Sequence, residues 1–255
     1  MTIDPAAGSA PVLLPAWGWA ALVGLCAGSL MGVLARRLPA GRPVLFARSA
    51  CDSCHTPLGA RELVPLLSYV VQRGRCRHCD APIGRFHPAM ELAAAGLALW
   101  AGSVFSGAML WVSCLLGWFL LALGACDWGS YRLPDTLTLP LLLLGLGITA
   151  WLWPEALGDH ALAAALGYLA FRGVALVYRR LRGRDGLGAG DAKLLAAAGA
   201  WVGLAALPSV VLIAALAGLL LALGIAVRKG ALSGRMMLPF GPALALATWL
   251  VWLYG

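Results

Sequence analysis

Apolar residues fall along this chain in long runs separated by short polar stretches. A bilayer core takes roughly 20 apolar residues per helix. By that length rule the runs at about 12–35, 88–105, 109–126, 136–153, 161–178, 192–207, 209–227 and 239–253 predict eight membrane spans. Gly, Ala and Ser recur inside the runs, which suits close approach of helices in lipid. Only the stretch 36–87 is long and polar enough to be a soluble insert. The pattern therefore predicts an all-α polytopic membrane protein of about eight transmembrane helices with a small cytoplasmic insert. It divides into a first span at 1–35, an insert at 36–87 and a seven-helix membrane domain at 88–255.

Composition agrees and excludes an ordinary soluble domain. Hydrophobic residues make up 61% of the chain, charged residues 12%, and the mean hydropathy is +0.85. Charge then orients the spans. With the N-terminus outside, all 19 basic residues fall at the inner face, Arg36 to Arg85 in the insert alone supplying nine of them. The outer segments keep only Asp4, Glu155, Asp159 and His160 as titratable groups. This is a clear positive-inside pattern. The net charge of +8 thus reports orientation and contact with anionic lipid, not nucleic-acid binding. The first run has no basic residue before it and no clean cleavage site after it, so it reads as a retained span with a periplasmic N-terminus.

The insert carries two CxxC knuckles, Cys51-x-x-Cys54 and Cys76-x-x-Cys79, about twenty residues apart. Four thiolates suit a tetrahedral structural zinc, and the reducing inner side makes disulfides a poor alternative. So small an insert has little core of its own, and a metal supplies folding energy. A redox pair or a chance cluster stays open on spacing alone. His55 and His78 sit beside the cysteines and read as loop residues; Cys26, Cys114 and Cys126 read as buried thiols within spans.

Three carboxylates mark a second candidate site. Asp127 ends the third span in "ACDWGSYRLPD", Asp135 opens the fourth, and Asp191 opens the sixth in "GAGDAK". All three fall at the inner ends of spans, where ionisable residues are costly and face a bundle interior or water. Two of them in proximity would hold one proton between them, one acting as general base on water and the other polarising a carbonyl. Bland readings compete with this one: Asp135 and Asp191 can each cap a helix, and Asp127 can pair with an arginine. No GK[ST], HExxH or GxS motif with a membrane histidine supports a nucleotide, zinc-protease or serine-protease site.

Taken together these stretches resemble the type IV prepilin leader peptidases, aspartyl proteases of the GxGD type. "GSLMGVLARRLP" is similar to that family's first-span exit, the four cysteines with "APIGRFHPAMEL" to its cytoplasmic insert, and "DWGSYRLPD" and "GAGDAK" to its two aspartate motifs. The resemblance implies Asp127 and Asp191 as catalytic, Asp135, Gly188, Gly190 and Lys193 as supporting, and the insert flank with Arg85 and Glu91 as a methylase region. It implies a bacterial inner-membrane location and S-adenosylmethionine as methyl donor. The substrate would be a prepilin or pseudopilin helix cut at the cytoplasmic face. A proton relay or transporter would place acidic groups at mid-span instead. A non-catalytic zinc scaffold would tolerate loss of both aspartates.

Overall fold

A computed structural model describes residues 15–44, 48–183, 188–229 and 239–255. The segment before the first span, and the basic residues Arg184 and Arg235 counted for orientation, lie outside the described residues. The described residues are predominantly helical. In chain order the α-helices are α1 (Ala16–Arg37), α2 (Leu67–Val71), α3 (Phe86–Val104), α4 (Gly107–Ser130), α5 (Asp135–Leu152), α6 (Leu157–Arg182), α7 (Ala189–Lys229) and α8 (Gly241–Tyr254). Among the described residues the only extended pairings are two isolated bridges, Ala50 with Pro57 and Arg75 with Pro82, both in the insert.

Among the described residues, α1, α4, α5 and α7 are each long and apolar enough to cross a membrane, as is the segment Pro154–Arg182 that contains α6. The helix α7 covers both the sixth and seventh apolar runs, but it is not continuous. Gly203 takes φ 77° and ψ 177°, breaking the ladder there. The turn between these two runs thus lies at Gly203 and not at Pro208, which sits inside the helical continuation. The reason lies on the neighbouring helix α6: Asp159 Oδ2 accepts from Leu204 N at 2.8 Å, restarting the helix with a side-chain cap. A Cβ at position 203 would lie 2.8 Å from that same oxygen, so glycine is required for space as well as for φ.

The bundle is knit by small residues and buried tryptophans. Helix α3 lies along α1, and α8 packs against both α4 and α7. Trp118 of α4 donates Nε1–H to Ala94 O of α3 at 3.1 Å, and Trp201 of α7 donates to Leu141 O of α5 at 2.8 Å. Leu116 and Leu123 of α4, Leu194 and Leu195 of α7 and Leu244 of α8 belong to one buried core, Leu195 lying against Gly167 of α6. Lipid is as apolar as leucine, so this packing rests on dispersion and on such hydrogen bonds more than on hydrophobic transfer. Leucines and valines of α6 and of the second half of α7 face outward, as a lipid-facing surface requires.

One end of the bundle gathers the start of α3, α5, α7 and α8 with the close of α1 and α4. Cys126 Sγ approaches Ala35 O at 3.7 Å there, and Arg132 Nη1 donates to Pro39 O at 3.4 Å. The insert hangs from this same end, between α1 and α3.

Candidate active site and metal centre

The helix α4 runs three residues past Asp127 before Tyr131, at φ 54°, stops it. Asp127 therefore lies inside the last helical turn, facing neighbouring helices, and is 6% exposed. Its Oδ2 accepts from Gly241 N, the first residue of α8, at 2.8 Å. Asp191 is the third residue of α7 and is 8% exposed; its own N–H reaches Gly188 O at 3.2 Å. Both carboxylates are buried at the same end of the bundle, one at the close of α4 and the other at the start of α7. Helices that start and stop at one end of a bundle bring together groups 64 residues apart in sequence (191 − 127).

Asp135 corrects an expectation. Pro134 occupies the cap position of α5, and no side chain caps that helix. Asp135 is the first helical residue, and its two oxygens take Lys193 Nζ at 2.5 and 2.7 Å. Its carboxylate thus joins the start of α5 to the first turns of α7, while gaining from the positive end of its own helix. Lys193 thus fastens α7 to α5. Gly190 completes the join: a Cβ there would lie 2.8 Å from Leu133 Cβ, so α7 rests directly on the α4–α5 turn. Gly188 lies against Asp191, a Cβ on it falling 3.0 Å from Oδ2.

The insert forms two knuckles with one backbone pattern. Cys51 N reaches Thr56 O and His55 N reaches Cys51 O, both at 3.0 Å; Cys76 N reaches Ala81 O and Asp80 N reaches Cys76 O, both at 2.9 Å. His55 and Asp80 fill the matching left-handed position, each at φ 57°. That makes His55 a turn residue, because a carboxylate serves equally well in the sister knuckle. The four sulfurs lie within 4.8 Å of one another, with Cys51–Cys79 at 3.8 Å and Cys54–Cys76 at 4.0 Å. A tetrahedral site with metal–sulfur bonds of about 2.3 Å has sulfur–sulfur edges of about 3.8 Å. Two of the edges match that value closely, and the cluster fits a tetrahedral metal.

Electrostatics favour the thiolate at two of the four sulfurs. The Thr56 hydroxyl and amide bring the Cys54 thiol down to about 6. The amides of His78 and Cys79 lower Cys76. The Ala81 amide lowers Cys79 too, but burial and the adjoining sulfurs outweigh it and push that thiol up to about 12. Four close sulfurs share their protons unequally because each thiolate disfavours the next.

Among the described residues no ion pair joins Arg85 to Glu91. Arg85 is exposed just before α3, with no capping bond from its side chain. Glu91 is buried on α3, and its Oε2 accepts from Leu66 N of the insert at 2.8 Å. Leu66 holds φ 56° at that point, so the carboxylate fixes a strained turn. Arg36 stacks 4.6 Å over the Phe86 ring nearby.

Sequence reasoning missed Gly241 and the Glu91–Leu66 bond. A glycine followed by proline at the mouth of the last apolar run was the one available signal for the former. An apolar groove of about 920 Å³ runs between α1 and α3 on one side and α4 and α8 on the other. It reaches Trp128, Gly129 and Ser130 beside Asp127.

Residues 22–105 match the family model for the Bacterial Peptidase A24 N-terminal domain, and residues 114–223 match that of the Type IV leader peptidase family. A Prepilin leader peptidase/N-methyltransferase of Burkholderia pseudomallei is 47% identical over 210 residues, 82% of this chain and 67% of that protein. Another so named, from Pseudomonas aeruginosa, is 36% identical over 262 residues, 92% of this chain and 89% of that protein. This chain belongs to the type IV leader peptidase family. A third relative of the same name, from Aeromonas hydrophila, is 39% identical over 213 residues, 83% of this chain and 73% of that protein. No solved structure matches. The first matched segment holds all but the first turns of α1, the cysteine insert and α3, while the second holds both buried aspartates; α8 lies beyond each.

Proposed function

We propose that this protein is a membrane-embedded aspartyl endopeptidase that removes the leader of type IV prepilins or type II secretion pseudopilins, and then methylates the new N-terminus. One observation carries the reading: Asp127 and Asp191, on separate helices, are both buried at one end of the bundle. Two carboxylates so placed share one proton. The anionic member takes a proton from water as that water attacks the scissile carbonyl, and the protonated member donates to the carbonyl oxygen. Gly188, Gly190, Asp135 and Lys193 support the pair by docking the start of α7 on the α4–α5 turn.

The chain crosses a bacterial inner membrane eight times in this reading, with α7 counted as two spans and α3 and α8 as one each. Its N-terminus is periplasmic, and its aspartates face the cytoplasm beside anionic lipid headgroups. The functional division is a first span (1–35), an insert (36–87) and a membrane domain (88–255). Cys51, Cys54, Cys76 and Cys79 hold a structural zinc that stabilises the insert; four sulfur ligands leave it no open position for chemistry. S-adenosylmethionine supplies the methyl group, and the insert flank with Arg85 and Glu91 forms the methylase region. Glu91 serves there by anchoring the insert to α3.

The test is cleavage of a prepilin in vesicles holding the purified protein and labelled S-adenosylmethionine. The wild type is expected to release the leader and to label the mature N-terminus, while Asp127→Asn and Asp191→Asn release none. Normal cleavage by either variant overturns the aspartyl mechanism. Cleavage without label removes the methylase half alone.

A further inference from the structure

Helix α8 carries neither aspartate and lies beyond both matched segments, yet it is wedged between the helices that do carry them. It packs against α4 on one side and α7 on the other, and its first residue touches Asp127. That contact is close on two counts. Gly241 N–H donates to Asp127 Oδ2 at 2.8 Å in a buried setting. A Cβ on Gly241 would lie 2.8 Å from both Asp127 Cβ and Oδ2, and 2.9 Å from Cγ. Backbone and carboxylate are thus in direct contact, and no side chain larger than hydrogen fits between them. Pro242 follows, fixing φ at the start of the helix where its missing N–H is not needed.

We infer that the N-terminus of α8, through the Gly241 amide, positions the Asp127 carboxylate for peptide cleavage. The inference rests on the reading of Asp127 as catalytic. No other donor to Asp127 is found among the described residues, so Gly241 fixes one oxygen and leaves the other for water or substrate. An amide at a helix N-terminus also favours negative charge on the oxygen it holds. Because a fixed amide cannot rotate away, it selects one orientation of the carboxylate without a second side chain to order. Gly241 touches Asp127 and not the substrate, so it is a positioning residue.

The test compares two glycines that pack α4 against α8. A Cβ on Gly117 would meet Trp249 at 2.9 Å, far along the same helix pair from Asp127. In the vesicle assay Gly241→Ala is expected to lower kcat about a hundredfold with KM unchanged, as displacements near 1 Å do. Gly117→Ala should keep kcat within a few-fold. Equal losses in the two variants, or a Gly241→Ala kcat within a few-fold of wild type, would overturn the inference.

A second measurement needs no activity. Hydrogen exchange at the Gly241 amide should quicken at least tenfold in Asp127→Ala, and stay near wild type in Asp127→Asn, whose side-chain carbonyl still accepts. Equal exchange in both overturns the positioning role even if Gly241→Ala fails to fold. Failure of the wild type to cleave a prepilin would instead strike the proposed function, and would leave the exchange difference intact.

Discussion

The cysteine insert and the aspartate end of the bundle lie at the same end of the molecule, and they are held together by opposite means. The knuckles close on themselves: each is a run of a few residues whose amides point at its own sulfurs and carbonyls. Their tie to the membrane helices is thin, chiefly Glu91 to Leu66 and Arg36 to Asp52 of the first knuckle at 3.8 Å. The aspartates depend on distant partners. Asp127 is held by a residue 114 positions away, and the join beside Asp191 spans 58. A locally built metal site can be lost with the bundle intact, whereas the carboxylates cannot be arranged without α4, α5, α7 and α8 together.

That contrast can be broken first at the metal. Cys54→Ser with Cys76→Ser should take bound zinc from one equivalent to none by elemental analysis, and open residues 48–85 to protease. Leader cleavage should stay within about tenfold of wild type, since the metal only supplies folding energy to the insert. Cleavage as dead as in Asp127→Asn would show that the two regions are one unit.

The tie between them is the next largest target. Replacing Glu91 by Gln weakens a buried bond to a backbone amide, and bonds to charged groups contribute about 1.5–3 kcal/mol. Methyl transfer should fall about tenfold while cleavage changes less, measured in the one vesicle assay. An equal fall in both would place the insert in the peptidase step.

The smallest effect belongs to Lys193→Met. Its ion pair with Asp135 is partly open to solvent at 33% and 53% exposure. A pair so exposed contributes about 0.5–1 kcal/mol, so cleavage should fall about two- to fivefold. A much larger loss would mean that Lys193 touches the substrate.

The same contrast explains what the sequence made legible. The knuckles were readable because a CxxC turn is local chemistry, and the spans because apolar length is additive along the chain. Asp127 and Asp191 could be placed at one end from charge and span counting. The position of the break in α7 was misplaced, since Pro208 is the louder signal while the cap on Leu204 comes from Asp159, on another helix. Asp135 read as a cap because its neighbours fit one, and only the fold reveals Lys193 across from it. Gly241 carries no motif of its own; its meaning comes wholly from what α4 brings to it.

The central claim is that Asp127 and Asp191 act as a single catalytic unit. The most direct measure of it is the rate of prepilin cleavage by Asp127→Asn, Asp191→Asn and the double variant, each reconstituted in vesicles with its fold checked. Groups that act together are strongly non-additive when removed. Each single change should abolish cleavage, by about 10³-fold or more, with the double variant no slower than either single. Substantial activity in one single variant, or losses that multiply in the double, would contradict the account.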